Sequence, residues 1–154
     1  MVTYYLDTSA MLKQYVNETG SSWLRRTLAA PGGAIVVAAQ LVIVEMTSAL
    51  NRRVREGTVT TGDYARLTGH FHDDCRDVYQ LIALSDAIVN TACALLERHP
   101  LRAYDAVHLA TGIIVNQWLV EAGEAGLTFL SADDRLNEAA AAESLAVDNP
   151  NHYP

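Results

Sequence analysis

The chain is poor in several things that would each announce a class of protein. It has 2 cysteines in 154 residues, Cys75 and Cys93, with no CxxC spacing between them. A disulfide-stapled secreted scaffold and a cysteine-built zinc site are therefore disfavoured, and free thiols in a reducing compartment are the expectation. The sequon "NET" at Asn17 then carries no meaning. No apolar run reaches the roughly 20 residues that a bilayer requires. The longest, "AIVVAAQLVIV" from Ala34 to Val44, is interrupted by Gln40. The opening "MVTYYLD" lacks a basic region leading into an apolar one, which predicts no secretory leader. Together these point to the cytoplasm. Positive charge is also scarce: Lys13 is the only lysine, and the formal net charge is −7. That balance argues against a broad basic face for nucleic acid. It does not exclude an enzyme whose acidic groups hold a metal, because the ion inverts the sign of its site.

Half of the residues are hydrophobic and 19% are charged, a globular composition with no low-complexity tract, linker or repeat. Residues 2–6, rich in Val, Thr and Tyr, predict a strand. "SAMLKQYV" follows with Met11, Leu12, Tyr15 and Val16 at helical spacing and Thr8 or Ser9 as N-cap. A second short helix is expected from about Ser21, ended by Pro31, Gly32 and Gly33. "AIVVAA" suits a strand buried on both faces. Residues 41–55 predict a helix with Leu41, Val44, Leu50 and Val54 on one side and arginines at its C-terminal end. Another helix carries Tyr64, Leu67, Phe71, Cys75 and Val78. Then come a strand in "QLIALS", a helix capped by Ser85, a long helix over about 103–122, a strand in "LTFLS", a helix in "DDRLNEAAAAE" and a last strand in "LAV". Strands alternating with helices predict a single α/β domain over residues 1–154, with a mostly parallel sheet between helical layers.

In such sheets ligands bind beyond the carboxyl ends of the strands, where strand order reverses. Asp7 stands at the end of the first strand, and Asp133 and Asp134 follow "LTFLS" closely. Glu45 lies early in the helix after "AIVVAA", among Val42, Ile43, Val44 and Met46, and Asp105 opens the long helix. These positions, scattered over the chain, are expected to meet on one rim. Carboxylates crowded together raise one another's pKa and destabilise a fold. A hard divalent ion, Mg²⁺ or Mn²⁺, is the common reason to keep them. Such an ion lowers the pKa of bound water and neutralises charge on a phosphoryl group, so phosphodiester hydrolysis is the natural chemistry. Arg52, Arg53, Arg55 and Arg102 are candidates for flanking phosphates.

"YYLDTSAMLKQY", the isolated Glu45 in "QLVIVEMTSAL", "LRAYDAVHLATG" and "LTFLSADDRLNEAAAAESLAV" resemble, in order and spacing, the PIN-domain ribonucleases, above all VapC-type toxins of toxin–antitoxin pairs. The likeness runs from about residue 3 to the final "VDNP". It implies a PIN-like three-layer α/β/α sandwich and a metal-dependent endoribonuclease that leaves a 3′-hydroxyl and a 5′-phosphate. By the same resemblance the acidic quartet falls on Asp7, Glu45, Asp105 and Asp133. Ser131 and Ser9 are implied as auxiliary hydroxyls, and Asp134 competes with Asp133 for the fourth place. An RNA substrate, a VapB-type antitoxin and a homodimer are implied as partners.

Other readings have specific weaknesses. A phosphotransfer enzyme of the haloacid-dehalogenase kind wants a second aspartate two residues after the first, where this chain has Ser9, and a lysine after a later strand, which it lacks. A catalytically silent PIN-like module that only binds RNA or a partner is the alternative, weakened by all four acidic positions being filled. His108, three residues after Asp105, is read as a satisfied core histidine, and "HFHDD" at His70–Asp74 as an exposed polar patch.

Overall fold

The computed structural model describes residues 1–154. Five strands form one all-parallel sheet: β1 (Val2–Leu6), β2 (Ala34–Ala39), β3 (Gln80–Ile82), β4 (Thr128–Leu130) and β5 (Ala146–Asp148), in the order β3-β2-β1-β4-β5. Between them run α1 (Thr8–Tyr15), α2 (Ser21–Leu28), α3 (Val42–Arg55), α4 (Thr61–Asp77), α5 (Asp86–Arg98), α6 (Ala103–Glu121) and α7 (Asp134–Ala142). A single 3-10 turn, Pro150–His152, follows β5.

Strand periodicity divides the core into two. Tyr5, Val37 and Phe129 face one side of the sheet, where Ile88, Leu95, Leu109, Ala110 and Leu136 from α5, α6 and α7 cover them. Leu6, Val36, Ala38 and Leu130 face the other side, under Met11, Leu24, Met46, Leu50 and Phe71 from α1–α4. This is a three-layer α/β/α fold. The chain steps from β1 to β2 to β3 with helices on one face, then crosses back to β4 and β5 with helices on the other. Such a change of face is what crossovers of one hand demand when strand order reverses. The reversal lies between β1 and β4, so their carboxyl ends open a crevice.

Within the α5–α7 layer, Tyr5 and Phe129 stack with ring centroids 5.0 Å apart. Gly112 lets α6 approach this pair, since a Cβ there would meet Phe129 at 3.0 Å. The buried face of α3 differs from the expected one. Val42, Met46, Ala49 and Leu50 point inward, whereas Val44 is 67% exposed. The turn at Gln40–Leu41 sets the helical phase about one residue away from the apolar stripe that Leu41 and Val44 suggest. The expected N-cap of α1 is also corrected. Asp7, not Thr8 or Ser9, caps that helix by accepting the Ala10 amide at 2.9 Å, and Thr8 is its first residue. Ser85 caps α5 as expected, through the Ile88 amide at 3.2 Å. α2 begins at Ser21 as expected, preceded by Gly20 with φ of 83°.

Gly20 is irreplaceable for two separate reasons. Its backbone is left-handed, and an added Cβ would lie 2.2 Å from the Pro150 carbonyl oxygen, where the C-terminal turn packs on α2. Gly57 has φ of 78° but open space around it. Gly57→Ala is expected to cost about 1 kcal/mol from conformation alone, and Gly20→Ala about 2 kcal/mol or more. Denaturant unfolding of the two variants measures the difference directly. Equal losses would show that the Pro150 contact adds nothing.

Candidate active site

The first strand delivers Asp7 to the crevice as soon as pairing with β4 ends, and the Asp7 amide still donates to Leu130 O at 3.2 Å. Its side chain is nearly sealed, at 5% exposure. Oδ1 accepts from the Ser9 hydroxyl at 2.7 Å as well as the Ala10 amide, and Oδ2 accepts from Ser131 at 2.6 Å. Ser131 is the residue after β4, and its Oγ also accepts the Asp133 amide at 3.0 Å. The Ala132 amide donates to Ser9 Oγ at 2.9 Å. The two strand ends at the reversal are thus stitched together through Asp7 and two serines.

The other carboxylates arrive from three elements. Glu45, in the first turn of α3, accepts the Thr8 hydroxyl at 2.9 Å and meets His108 Nε2. Asp105, in the first turn of α6, accepts from Arg102 Nε at 3.2 Å. Asp133 caps α7 by accepting the Arg135 amide at 3.0 Å. Asp7, Glu45, Asp105 and Asp133 all line one cleft of about 430 Å³, together with Arg52, Arg53 and Arg102. Asp134 begins α7 and lies beside that cleft, in an adjoining hollow of about 410 Å³ shared with Arg102, Asp105 and Asp133, accepting from Asn149 Nδ2 at 2.7 Å and lying 3.3 Å from His152 Nε2. An apolar hollow of about 480 Å³, lined by Leu41, Val44, Leu84 and Tyr104 among others, is larger but offers no carboxylate.

Electrostatically the cleft is heterogeneous. Burial pushes the Asp7 carboxyl above its ordinary value, against the lowering influence of His108, Ser131, Ser9 and the Ala10 amide. Burial acts upward on Glu45 too, but the His108 hydrogen bond and charge, with Thr8, more than offset it, so that its carboxyl lies below the usual range. The Arg102 guanidinium is raised further by its hydrogen bond and charge interaction with Asp105, with smaller contributions from Asp133 and Glu45. Mutual repulsion among the acids is therefore relieved within the protein itself, by hydroxyls, an imidazole and an arginine. Accordingly, no three His, Cys, Asp or Glu side chains converge tightly enough to cage an ion unaided.

The donor set nonetheless fits a hard divalent cation: carboxylate and hydroxyl oxygens, with one carboxylate held rigid by three donors and no thiol nearby. Mg²⁺ keeps several waters and takes one or two carboxylates, so a partly open arrangement of this kind suits it. His70 and His72 lie exposed on α4, outside this cleft.

Three contributors were hidden from sequence reasoning. His108 is buried as expected of a core histidine, yet it also contacts Glu45. Tyr5, read as packing, lies 2.8 Å through its hydroxyl from His108 Nδ1. Lys13 is buried and bonded to Glu18 Oε1 at 3.1 Å and Thr19 O at 2.7 Å, while Arg53 holds Glu18 Oε2 at 2.7 Å. That ionic chain fastens the α1–α2 connection to α3 and forms one wall of the cleft. The spacing of "DAVH" was the one available signal for His108, since residues three apart share a helix face.

The chain is thus an α/β protein whose strand-order reversal carries an acidic cleft edged with arginines. The family is set by the PIN domain model, which matches residues 4–142; the chain belongs to the PIN-domain family. No curated protein sequence matches it. Among solved structures it is similar to a chain of VapBC2 from Rickettsia felis bound to a DNA fragment from their promoter. The TM-score is 0.64 at 11% identity, covering 96% of this chain and 98% of that one. A toxin–antitoxin complex from Klebsiella pneumoniae gives 0.61 at 14% identity, over 96% and 97% of the two chains. VapBC-1 from nontypeable Haemophilus influenzae gives 0.61 at 10%, over 97% and 98%. At such identities the likeness is one of fold.

The raised Asp7 carboxyl has a thermodynamic consequence. Its folded pKa exceeds the ordinary value of 3.8. Over the interval between the two, the native state binds more protons than the unfolded state, and its contribution to stability falls as pH rises. At neutral pH the buried charge is a net cost. With EDTA present, Asp7→Asn is expected to raise the thermal midpoint by a few degrees at about pH 7, an advantage that shrinks toward about pH 4. Calorimetric scans across that range test it; a lower midpoint for Asp7→Asn at about pH 7 contradicts it.

Proposed function

We propose that this PIN domain is a metal-dependent endoribonuclease and the toxin of a VapBC-type toxin–antitoxin pair. The observation that carries the reading is the meeting of Asp7, Glu45, Asp105 and Asp133 in one cleft at the strand-order reversal, with Arg52, Arg53 and Arg102 at its edge. Asp7, Glu45 and Asp105 would hold Mg²⁺ or Mn²⁺, and Asp133 would complete the shell or assist a second ion. Such an ion, when bound, lowers the pKa of water and offsets charge developing on the phosphoryl oxygens.

The chain's own groups supply the rest. Ser9, Ser131 and the Ala10 amide fix Asp7, so that its carboxylate needs little reorganisation to meet a cation. Arg102 is 83% exposed at its side chain and held only by Asp105. It is free to swing outward when a cation takes over Asp105, and there it grips a phosphate next to the scissile one. Arg52 and Arg53, near the end of α3, serve the opposite flank of the strand. Local arginines reconcile an acidic protein with a polyanionic substrate, because only the cleft rim has to be positive.

The toxin reading draws on similarity to a toxin–antitoxin complex and to VapBC proteins, and it brings a small cognate antitoxin and a homodimer with it. Cytoplasmic residence suits the two free cysteines. No helix is long and apolar enough to cross a membrane.

Asp7→Asn and Asp105→Asn are expected to stay folded while losing at least about 100-fold in cleavage rate. The assay maps 5′-phosphate ends in total RNA with Mg²⁺ or Mn²⁺ and with EDTA. Cleavage that survives EDTA or either substitution at the original rate contradicts the site. Tight partner binding without any cleavage would favour the silent-module alternative.

A further inference from the structure

Tyr5 and His108 are polar groups where apolar ones would pack as well. Tyr5 is fully buried in the centre of β1, stacked on Phe129, and His108 is 2% exposed on the inner face of α6. Burying a phenol hydroxyl and an imidazole is unfavourable unless each polar atom finds a partner. Here each does, in one continuous line. The Ala39 amide, at the end of β2, donates to Tyr5 Oη at 3.2 Å. The Tyr5 hydroxyl lies 2.8 Å from His108 Nδ1. Nε2–H donates to Glu45 Oε1, a carboxylate oxygen that can only accept and that also takes the Thr8 hydroxyl at 2.9 Å. The line begins at the sheet backbone and ends at a cleft carboxylate, tying together β2, β1, α6 and α3.

We propose that Tyr5 and His108 are positioning residues: the Ala39–Tyr5–His108 line holds the imidazole in place and thereby locks the Glu45 carboxylate in the orientation that receives the divalent ion. The inference rests on the metal-site reading given above. Glu45 sits on a helix whose next residue toward the surface, Val44, is exposed, so without a second anchor its flexible side chain would sample solvent. Thr8 supplies a short, half-buried anchor; His108 supplies a stiff one delivered from the core. Partners that orient metal-binding side chains are typically worth about 10–100-fold in metal affinity.

Three substitutions separate positioning from packing. Tyr5→Phe keeps the ring and its stack on Phe129 but deletes the hydroxyl. His108→Leu removes the imidazole, and His108→Gln restores a donor near the Nε2 position. Mn²⁺ binding to the full chain is followed by electron paramagnetic resonance, with Glu45→Gln as reference and folding monitored by circular dichroism. Tyr5→Phe and His108→Leu are expected to weaken Mn²⁺ binding about 10-fold, with His108→Gln recovering much of the loss. Imidazole ¹⁵N spectra are expected to show a proton on Nε2 in the native chain and in Tyr5→Phe, with the Nδ1 resonance shifted in Tyr5→Phe by loss of the hydroxyl contact, which ties the lost Mn²⁺ affinity to that hydrogen bond. Should Glu45→Gln lose Mn²⁺ while Tyr5→Phe keeps native affinity, the positioning role is overturned and the metal site stands. Unchanged Mn²⁺ affinity in Glu45→Gln overturns the metal-site reading, and the proposal with it. If His108→Leu fails to fold, Tyr5→Phe decides alone, because its ring packing is conserved.

Discussion

A carboxylate is carried out of the middle of a parallel sheet with its charge almost wholly removed from water, and the surrounding chain is arranged to hold it there. Asp7 receives three donors, from Ser9, Ala10 and Ser131, and these come from both sides of the strand-order reversal. The same residue closes the β1–β4 crevice, caps α1 and presents an acid to the cleft. Burial still outweighs the donors and keeps its pKa raised. A domain of ordinary stability can carry such a local cost, of the order of a few kcal/mol for a buried charge with partners, when function requires it.

The remaining acids obey a different logic. Each is neutralised by a partner of its own: Glu45 by Thr8 and His108, Asp105 by Arg102, Asp133 by the start of α7. The cleft is thus stable without an ion and can take one by exchanging a few contacts. Arg102 is the obvious contact to exchange, being exposed and singly held, whereas the Glu45–His108 link is buried and backed by Tyr5. The core side of the cleft is thus held by buried, doubly anchored groups and its solvent side by an exposed, singly held one.

Much of this arrangement can be read from residues alone. The run "VTYYLD" announces a strand ending in an acid, and helical periodicity brings Glu45 to the start of the helix after β2 and Asp105 to the start of the long helix after Pro100. Topology then dictates that strand ends share a rim. What escaped was every link that depends on tertiary pairing. Tyr5 and His108 are 103 residues apart, and no local pattern distinguishes a packed tyrosine from one that orients an imidazole. That Asp133 lines the cleft while Asp134 lies beside it, bonded to Asn149 and near His152, was equally invisible in "SADDR", because the C-terminal turn that meets Asp134 is distant in sequence. The phase of α3 failed for a similar reason. An apolar stripe of Leu41 and Val44 looks like a core face, yet Val44 borders a hollow open to solvent with Leu84 and Tyr104. Periodicity finds an apolar stripe without saying what covers it.

At the centre of the proposed function, a buried strand-end aspartate and acids from three helices together receive a hard divalent cation. Crystals grown with Mn²⁺ and measured at its anomalous edge test it most directly. The account predicts anomalous density inside the cleft, in contact with Asp7 and at least one of Glu45, Asp105 and Asp133. Density confined to surface carboxylates such as those of α4, with the cleft empty at saturating Mn²⁺, would contradict it.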